Sequence, residues 1–262
     1  MADDLRVERS DDVARVVLDR PGKRNAFDDE LAARLAAAFR ELAKDTSLRA
    51  VVLAGEGKAF CAGGDLAWMR RVAGYSLEEN LADARGFQEA FEAIDRHPVP
   101  VVARVQGAAM GGGAGLVAAV DIAIAAEETA FAFPEVRLGL VPGVIAPYVV
   151  RALGARAARH LFVTGERFNA AEALRLGLVH RVVPLAELDA AVDGILAAIR
   201  MGGPQGVRAA KQLVRDVEAT SGDAQQEVAR RAIAAARGSE DGREGTTAFL
   251  EHRRPRWQEP HA

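Results

Sequence analysis

Hydrophobic positions change period along this chain, and the changes mark its elements. Val13-Ala14-Arg15-Val16-Val17-Leu18 is β-branched and partly alternating until Arg20-Pro21-Gly22 breaks it, which predicts a strand. Leu31, Leu35, Phe39 and Leu42 then recur at helical spacing behind Asp28-Asp29-Glu30, an acidic first turn that suits the positive end of a helix dipole. Ala50 to Ala54 is short and continuously apolar, the pattern of a strand buried on both faces. A Gly-rich loop from Gly55 to Gly64 follows, with helical sequence in pieces to His97. Pro98 and Pro100 bracket the entry to another buried strand, Val101 to Val105.

A second Gly-rich turn at Gly111-Gly112-Gly113 opens a helix of small residues ending at Val120. Ile122 to Ala125 and Thr129 to Phe133 read as further short strands. From Ala146 onward the pattern is almost wholly helical: Ala155 to Val163, Ala170 to Leu176, Leu185 to Arg200, Pro204 to Glu218 and Asp223 to Arg237. His180 to Val183 is the one late strand expected, and a basic tail runs from Glu251 to Trp257. Strands alternating with helices, then helices alone, predict an α/β core over residues 1–200 and a helical region over 201–262. No internal repeat of fixed period is visible.

Composition narrows the function. Lys+Arg 34 against Asp+Glu 37 gives a net charge of −3, which lacks the basic excess of a nucleic-acid binder. Hydrophobic residues at 50% and charged residues at 27% describe a globule rather than a disordered chain. With 262 residues, roughly three quarters of the unfolded surface can be buried without disulfide staples. The single cysteine, Cys61, fits a reducing compartment. The acidic start Met1-Ala2-Asp3-Asp4 has no apolar secretory core, and the uncharged stretch Ala108 to Val120 is too short for a span of about 20 residues. A cytoplasmic protein away from membranes is the expectation.

Two turns carry candidate chemistry: Phe60-Cys61-Ala62-Gly63-Gly64-Asp65-Leu66 and Gly107-Ala108-Ala109-Met110-Gly111-Gly112-Gly113. Each lies between a buried strand and a helix, where glycine permits close backbone approach and helix-start N–H groups lack partners. Facing one another, two such turns could hold one oxygen between two donors; equally, such turns serve as packing devices. Neither precedes Gly-Lys-Ser/Thr, so neither is a P-loop. Gly111 to Gly115 does not fit Gly-x-Gly-x-x-Gly, and no strand suited to a nucleotide fold opens the chain. His97, His160, His180, His252 and His261 have no metal-ligand spacing, and no nucleophile elbow presents a serine. Glu135, in Phe131-Ala132-Phe133-Pro134-Glu135-Val136, has apolar neighbours that would raise its pKa for acid–base work; the alternative is an ion pair with Arg137.

These segments, taken in order, resemble the crotonase (enoyl-CoA hydratase/isomerase) superfamily. Ala59 to Leu66 resembles its first oxyanion segment, and Gly107 to Gly113 followed by Asp121 to Ala125 its second. Phe133 to Gly143 looks like its catalytic-glutamate segment, and Thr164-Gly165-Glu166, Ala170 to Ala173, Gly177-Leu178-Val179 and Ala248 to Glu251 follow in sequence. The likeness runs from about Val13 to Trp257. It implies a spiral of ββα turns with a helical C-terminal oligomerisation region that builds homotrimers, often paired into hexamers. It also implies an acyl-CoA thioester substrate, with coenzyme A as part of that substrate and no prosthetic group. By the same resemblance Gly64 and Gly112 donate to the thioester oxygen and Glu135 is catalytic. Lys23, Arg24 and Ala26, with Ala62, Gly63, Asp65 and Leu66, would then meet the CoA portion.

Two departures bear on the reaction. The two-carboxylate hydratases carry a glutamate where this chain has Gly115, and their Gly-Gly-Thr-Gln-Arg-Leu run is replaced by Val144-Ile145-Ala146-Pro147-Tyr148-Val149-Val150. Only Glu135 then remains to activate water, and Gly115 is expected to make room for a bulkier or carboxylated acyl chain. The pattern is most similar to bacterial methylglutaconyl-CoA-type hydratases of leucine and acyclic-terpene catabolism. The first expectation is therefore a single-glutamate hydratase acting on a substrate such as 3-methylglutaconyl-CoA. A Δ3,Δ2-enoyl-CoA isomerase, with Glu135 as proton shuttle, is the second. A non-catalytic CoA-binding or RNA-binding oligomer is the third, and the net charge of −3 speaks against RNA.

The other residues singled out have mostly structural expectations. Asp65 and Asp121 are expected to cap helices or pair. Trp68 and Met69 would line an acyl pocket or pack a core. Tyr148 and Arg151 are the candidates for meeting a carboxylated chain.

Overall fold

The computed structural model describes residues 4–258. Strand β1 (Leu5–Ser10) opens the chain and forms an antiparallel hairpin with β2 (Val13–Leu18), so it begins no βαβ nucleotide unit. It was not expected, because Arg6, Glu8 and Arg9 mask its alternation. After β2 comes α1 (Asp29–Leu42), whose Asp28 side chain accepts from Leu31 N at 2.9 Å and caps the helix. Then follow β3 (Ala50–Gly55), α2 (Leu66–Val72) and α3 (Leu77–Asp95), the last started by a Ser76/Glu79 capping box.

β4 (Val101–Val105), β5 (Ala108–Met110) and α4 (Gly112–Ala119) make the next turn, and β6 (Ile122–Ala126) and β7 (Ala130–Ala132) the one after. α5 (Ala146–Thr164) is kinked at Gly154 (φ 75°, ψ 155°), which is why the periodic pattern restarts at Ala155. β8 (Arg167–Asn169), α6 (Ala170–Leu176), β9 (Arg181–Val183) and α7 (Leu188–Met201) complete this part. β8 corrects the expectation of a single late strand: three residues are too few to show a period.

β1-β2-β3-β4-β6-β9 form one six-stranded sheet, parallel from β2 onward. β5, β7 and β8 form a second, three-stranded sheet. Every residue of β3 is buried, as a strand covered on both faces requires. Isolated parallel bridges join Phe27 to Gly64 and Cys61 to Ala109. Each turn thus runs from a strand in the large sheet, through a second β segment, to a helix. β2 leads to Phe27 and α1, β3 to Cys61–Gly64 and α2, β4 to β5 and α4, and β6 to β7 and Glu135. This is the expected spiral. Its turns start at residues 13, 50, 101 and 122, so unequal lengths hide the repeat from the sequence.

The chain divides into two compact units, one running to His97 and over Val101–Val192, the other comprising Pro98–Pro100 and the chain from Asp193. The second unit holds α8 (Pro204–Glu218), α9 (Gly222–Gly238) and α10 (Glu240–Leu250). α10 was not expected, because two glycines and two threonines blur its periodicity. The tail behind it is tied back to its own unit: Arg253 Nη1 meets Glu244 Oε1 at 2.6 Å, and Trp257 Nε1 donates to Met201 O at 3.1 Å. Among the described residues no helix is long and apolar enough to cross a membrane.

Candidate active site

The two Gly-rich turns lie side by side because their strands do. Cys61 N donates to Ala108 O and Met110 N to Cys61 O, both at 3.0 Å. A Cβ on Gly63 (φ 99°) would come within 3.1 Å of Met110 O, and one on Gly113 within 2.8 Å of Cys61 Cβ. Phe27 seats against both turns. Its N–H donates to Gly63 O at 2.7 Å, and its carbonyl accepts from Asp65 N at 2.9 Å. In such a parallel bridge the flanking residues make the bonds, so the N–H of Gly64 faces away from Phe27. Gly112 begins α4, whose first internal bond runs from Gly115 N to Gly111 O, leaving its own N–H among the unpaired helix-start donors. Among the described residues neither Gly64 nor Gly112 donates a backbone hydrogen bond.

Glu135 stands at the same place in the following turn, just after β7. Its Oε1 lies 3.0 Å from the point where a Cβ on Gly111 would sit. Its Oε2 is buried without a hydrogen-bond partner. Burial raises the carboxyl's pKa, and its own backbone N–H lowers it by less. No described ion pair includes it, so the pairing with Arg137 does not form; the Arg137 side chain packs instead against Gly165. Three consecutive turns of the spiral therefore contribute two free N–H groups and one carboxyl of raised pKa.

The outer wall is aromatic. Trp68 Cζ3 and Met69 Cγ would lie 3.1 and 3.5 Å from a Cβ on Gly64. Trp68 packs on Phe87, with ring centres 4.9 Å apart, and Phe87 on Phe27 at 5.3 Å. Phe91 stacks on Tyr148, whose burial pushes its phenol up to about 12. Arg151 is less available than expected: it pairs with Asp95 and lies 5.7 Å from the centre of the Tyr148 ring. The space that the missing side chain of Gly115 leaves is filled from within the protein. Ile145 occupies that volume, with its Cβ 2.7 Å from the point a Cβ on residue 115 would take.

The other expected residues are set around the first turn. Lys23 and Arg24 are exposed, and Lys23 Nζ meets Asp65 Oδ2 at 2.9 Å. Arg24 O accepts from Ala62 N at 3.0 Å, and Ala26 O accepts from Arg20 Nη1 at 2.8 Å. Asp65 caps α2 through Ala67 N and Trp68 N, and its pKa is lowered chiefly by Lys23. Leu66 is exposed to solvent. Asp121 accepts from Val101 N at 2.7 Å. The Cys61 thiol is buried and pushed up to about 11, which suits packing and not nucleophilic attack.

Sequence reasoning missed Arg20 and Asn25. Arg20 is buried among Asp4, Asp28 and Asp65. Asn25 (φ 57°) donates its amide to Glu56 O and Ala59 O at 2.9 and 2.8 Å, fixing the loop before the first turn. An asparagine three residues after Pro21-Gly22, a residue type that tolerates left-handed turn positions, was the only available signal.

A profile of the enoyl-CoA hydratase/isomerase family matches residues 8–260. The chain belongs to this family. The crotonyl-CoA hydratase of Syntrophomonas wolfei is 32% identical over 95% of each chain. Among solved structures, the fold is shared with an enoyl-CoA hydratase from Shewanella pealeana at TM-score 0.93 and 39% identity, covering 97% of this chain and 96% of that one. It is shared too with one from Mycobacterium smegmatis at TM-score 0.93 and 36% identity, covering 98% and 100%. The crotonase-type spiral and membership of an enzyme family acting on enoyl-CoA thioesters are thereby established.

Proposed function

We propose that this chain is a hydro-lyase that adds water to a branched or carboxylated 2-enoyl-CoA, with Glu135 as its single acid–base group. The observation that carries the reading is the Glu135 carboxyl, whose Oε2 is buried without a partner and whose Oε1 lies against Gly111 at the start of α4. The thioester oxygen sits between the N–H groups of Gly64 and Gly112. Glu135 takes a proton from water as its oxygen bonds Cβ, and the double-bond electrons move onto the thioester oxygen. Those two donors stabilise the resulting enolate, a contribution on the order of 10²–10³ in rate per donor. Collapse of the enolate returns the proton from Glu135 to Cα, so one water is added overall. A raised pKa serves both halves: the carboxylate is a stronger base, and the neutral acid is the favoured buried form.

Lys23, Arg24 and Ala26, with Ala62, Gly63, Asp65 and Leu66, are the proposed contacts to the CoA portion. Lys23 and Arg24 are the exposed cations among them. Tyr148 is the neutral polar group in the acyl wall, since Arg151 is engaged by Asp95. A specific observation favours isomerisation as the second reading. Ile145 fills the place where a second carboxylate would help to hold water. Moving a proton from C2 to C4 of a 3-enoyl-CoA needs Glu135 alone.

Homotrimers or hexamers are also proposed. α8 and α9 bury no residue and α10 only Ala248, while Phe249 and Leu250 are 79% and 70% exposed, apolar surface that a second copy would cover. A cytoplasmic location suits the buried, reduced Cys61.

The test is a paired ultraviolet assay of the conjugated enoyl-thioester band, with crotonyl-CoA and 3-methylglutaconyl-CoA, on wild type and Glu135→Gln. Loss of the band with the branched substrate, abolished in the variant, supports the hydratase. A gain of the band from a 3-enoyl-CoA, with no loss from either 2-enoyl substrate, replaces it with the isomerase. No turnover in any arm leaves a binding protein.

A further inference from the structure

The face of α4 that carries Gly111 and Gly112 continues one turn deeper to Gly115, because residues three and four apart share a helix face. Built Cβ atoms along it meet Glu135 Oε1 from Gly111, Phe27 Cδ1 from Gly112, and Ile145 and Phe91 from Gly115. At Gly115 the distances are 2.7 Å to Ile145 Cβ and 3.2 Å to Phe91 Cε1, and Ile145 Cγ2 is closer still. No side chain fits there, so positions 115 and 145 share one volume and Ile145 fills it. Ile145 is 4% exposed, and its carbonyl accepts from Tyr148 N and Val149 N at 3.1 Å, which anchors it at the start of α5. A β-branched side chain so held has little rotamer freedom with which to move aside.

We propose that Ile145 is a specificity-determining residue: its side chain is the end wall of the acyl pocket, one helical turn beyond Glu135. Gly115 is the partner that this wall requires, not an opening for the substrate. The inference rests on the reading that an acyl-CoA lies across Gly64 and Gly112 beside Glu135. It deepens that reading by stating what limits the chain. A chain reaching past the reacting carbons meets Ile145, so a short or compact acyl group fits and a long straight one does not.

Two measurements test this without turnover. First, Gly115→Ala alone lowers Tm by several degrees, whereas in an Ile145→Ala background the same change leaves Tm unchanged or raises it. Equal losses in both backgrounds would show that the residues do not share a volume, and would overturn the inference. Second, calorimetry with free CoA and with butanoyl-, hexanoyl- and octanoyl-CoA reads the wall directly. Ile145→Ala is expected to gain about tenfold or more in affinity for the longer chains with free CoA unchanged, since each methylene accommodated in an apolar pocket is worth that order. Ile145→Val gives a smaller gain in the same direction and serves if the alanine variant does not fold.

An unchanged length profile overturns the inference. A shifted profile in a protein that turns over no enoyl-CoA leaves it standing and overturns the hydratase reading. Failure of every acyl-CoA to bind overturns both.

Discussion

Oε1 of Glu135 lies 3.0 Å from where a Cβ on Gly111 would stand. The carboxyl thus rests directly on the backbone of the residue that caps α4, next to the free N–H of Gly112. Gly111 has φ 51° and ψ −119°, a conformation that side chains oppose. One glycine therefore satisfies two demands, a backbone reversal and a close approach.

Gly111→Ala should fail on both counts. Strain of about 1–3 kcal/mol is expected from the backbone alone, and the added methyl displaces the carboxyl. Urea unfolding should show the stability loss, and kcat should fall at least tenfold while affinity for free CoA changes little. A variant with full kcat would show that the placement of Glu135 over Gly111 is not needed.

The activity of the wild type should depend on pH through Glu135. Burial holds its pKa above the ordinary 4.5, and catalysis begins with the carboxylate. The acidic limb of kcat/KM should therefore lie above the usual glutamate range. An acidic limb at or below 4.5 would argue against Glu135 as the base.

The same burial fixes the sign of a stability effect. A carboxyl whose folded pKa is raised favours the folded state fully below the unfolded value, and loses that contribution as pH rises through the folded value. Glu135→Gln cannot ionise, so its stability relative to wild type should increase from below pH 4.5 to neutrality. Thermal melts of both proteins across that range check the slope, and a flat difference would contradict a raised pKa.

Asp65 joins the first turn to its surroundings. It caps α2, accepts from Lys23 and pairs at 3.3 Å with buried Arg20, which keeps Asp28 at 2.7 Å. Asp65→Ala removes the cap and one of the three carboxylates around buried Arg20, a loss on the order of 2–4 kcal/mol. Asp65→Asn keeps an acceptor for the cap and should lose less. Denaturant midpoints of the two variants decide this, and equal losses would mean that the charge alone matters.

Much of this protein was legible in its local pattern. β3, α1 and α4 were recognisable because continuous apolar runs, helical spacing and glycine clusters act on the backbone of the residues that carry them. The two glycine turns and Glu135 stood out for the same reason, since each interrupts or borders an apolar segment, whereas Gly64 and Gly112 were singled out within those turns by the family resemblance. The short β5 and β8 and the charged β1 were not legible, because pairing within a sheet makes them strands when their own sequence does not. Tertiary structure alone decided that Phe27 seats against both glycine turns, that Asn25 locks the loop before the first, and that Ile145 fills the space above Gly115. Local sequence sets which conformations a segment can adopt. Which distant side chains share a volume follows only from the register of the sheets and the packing of helices upon them.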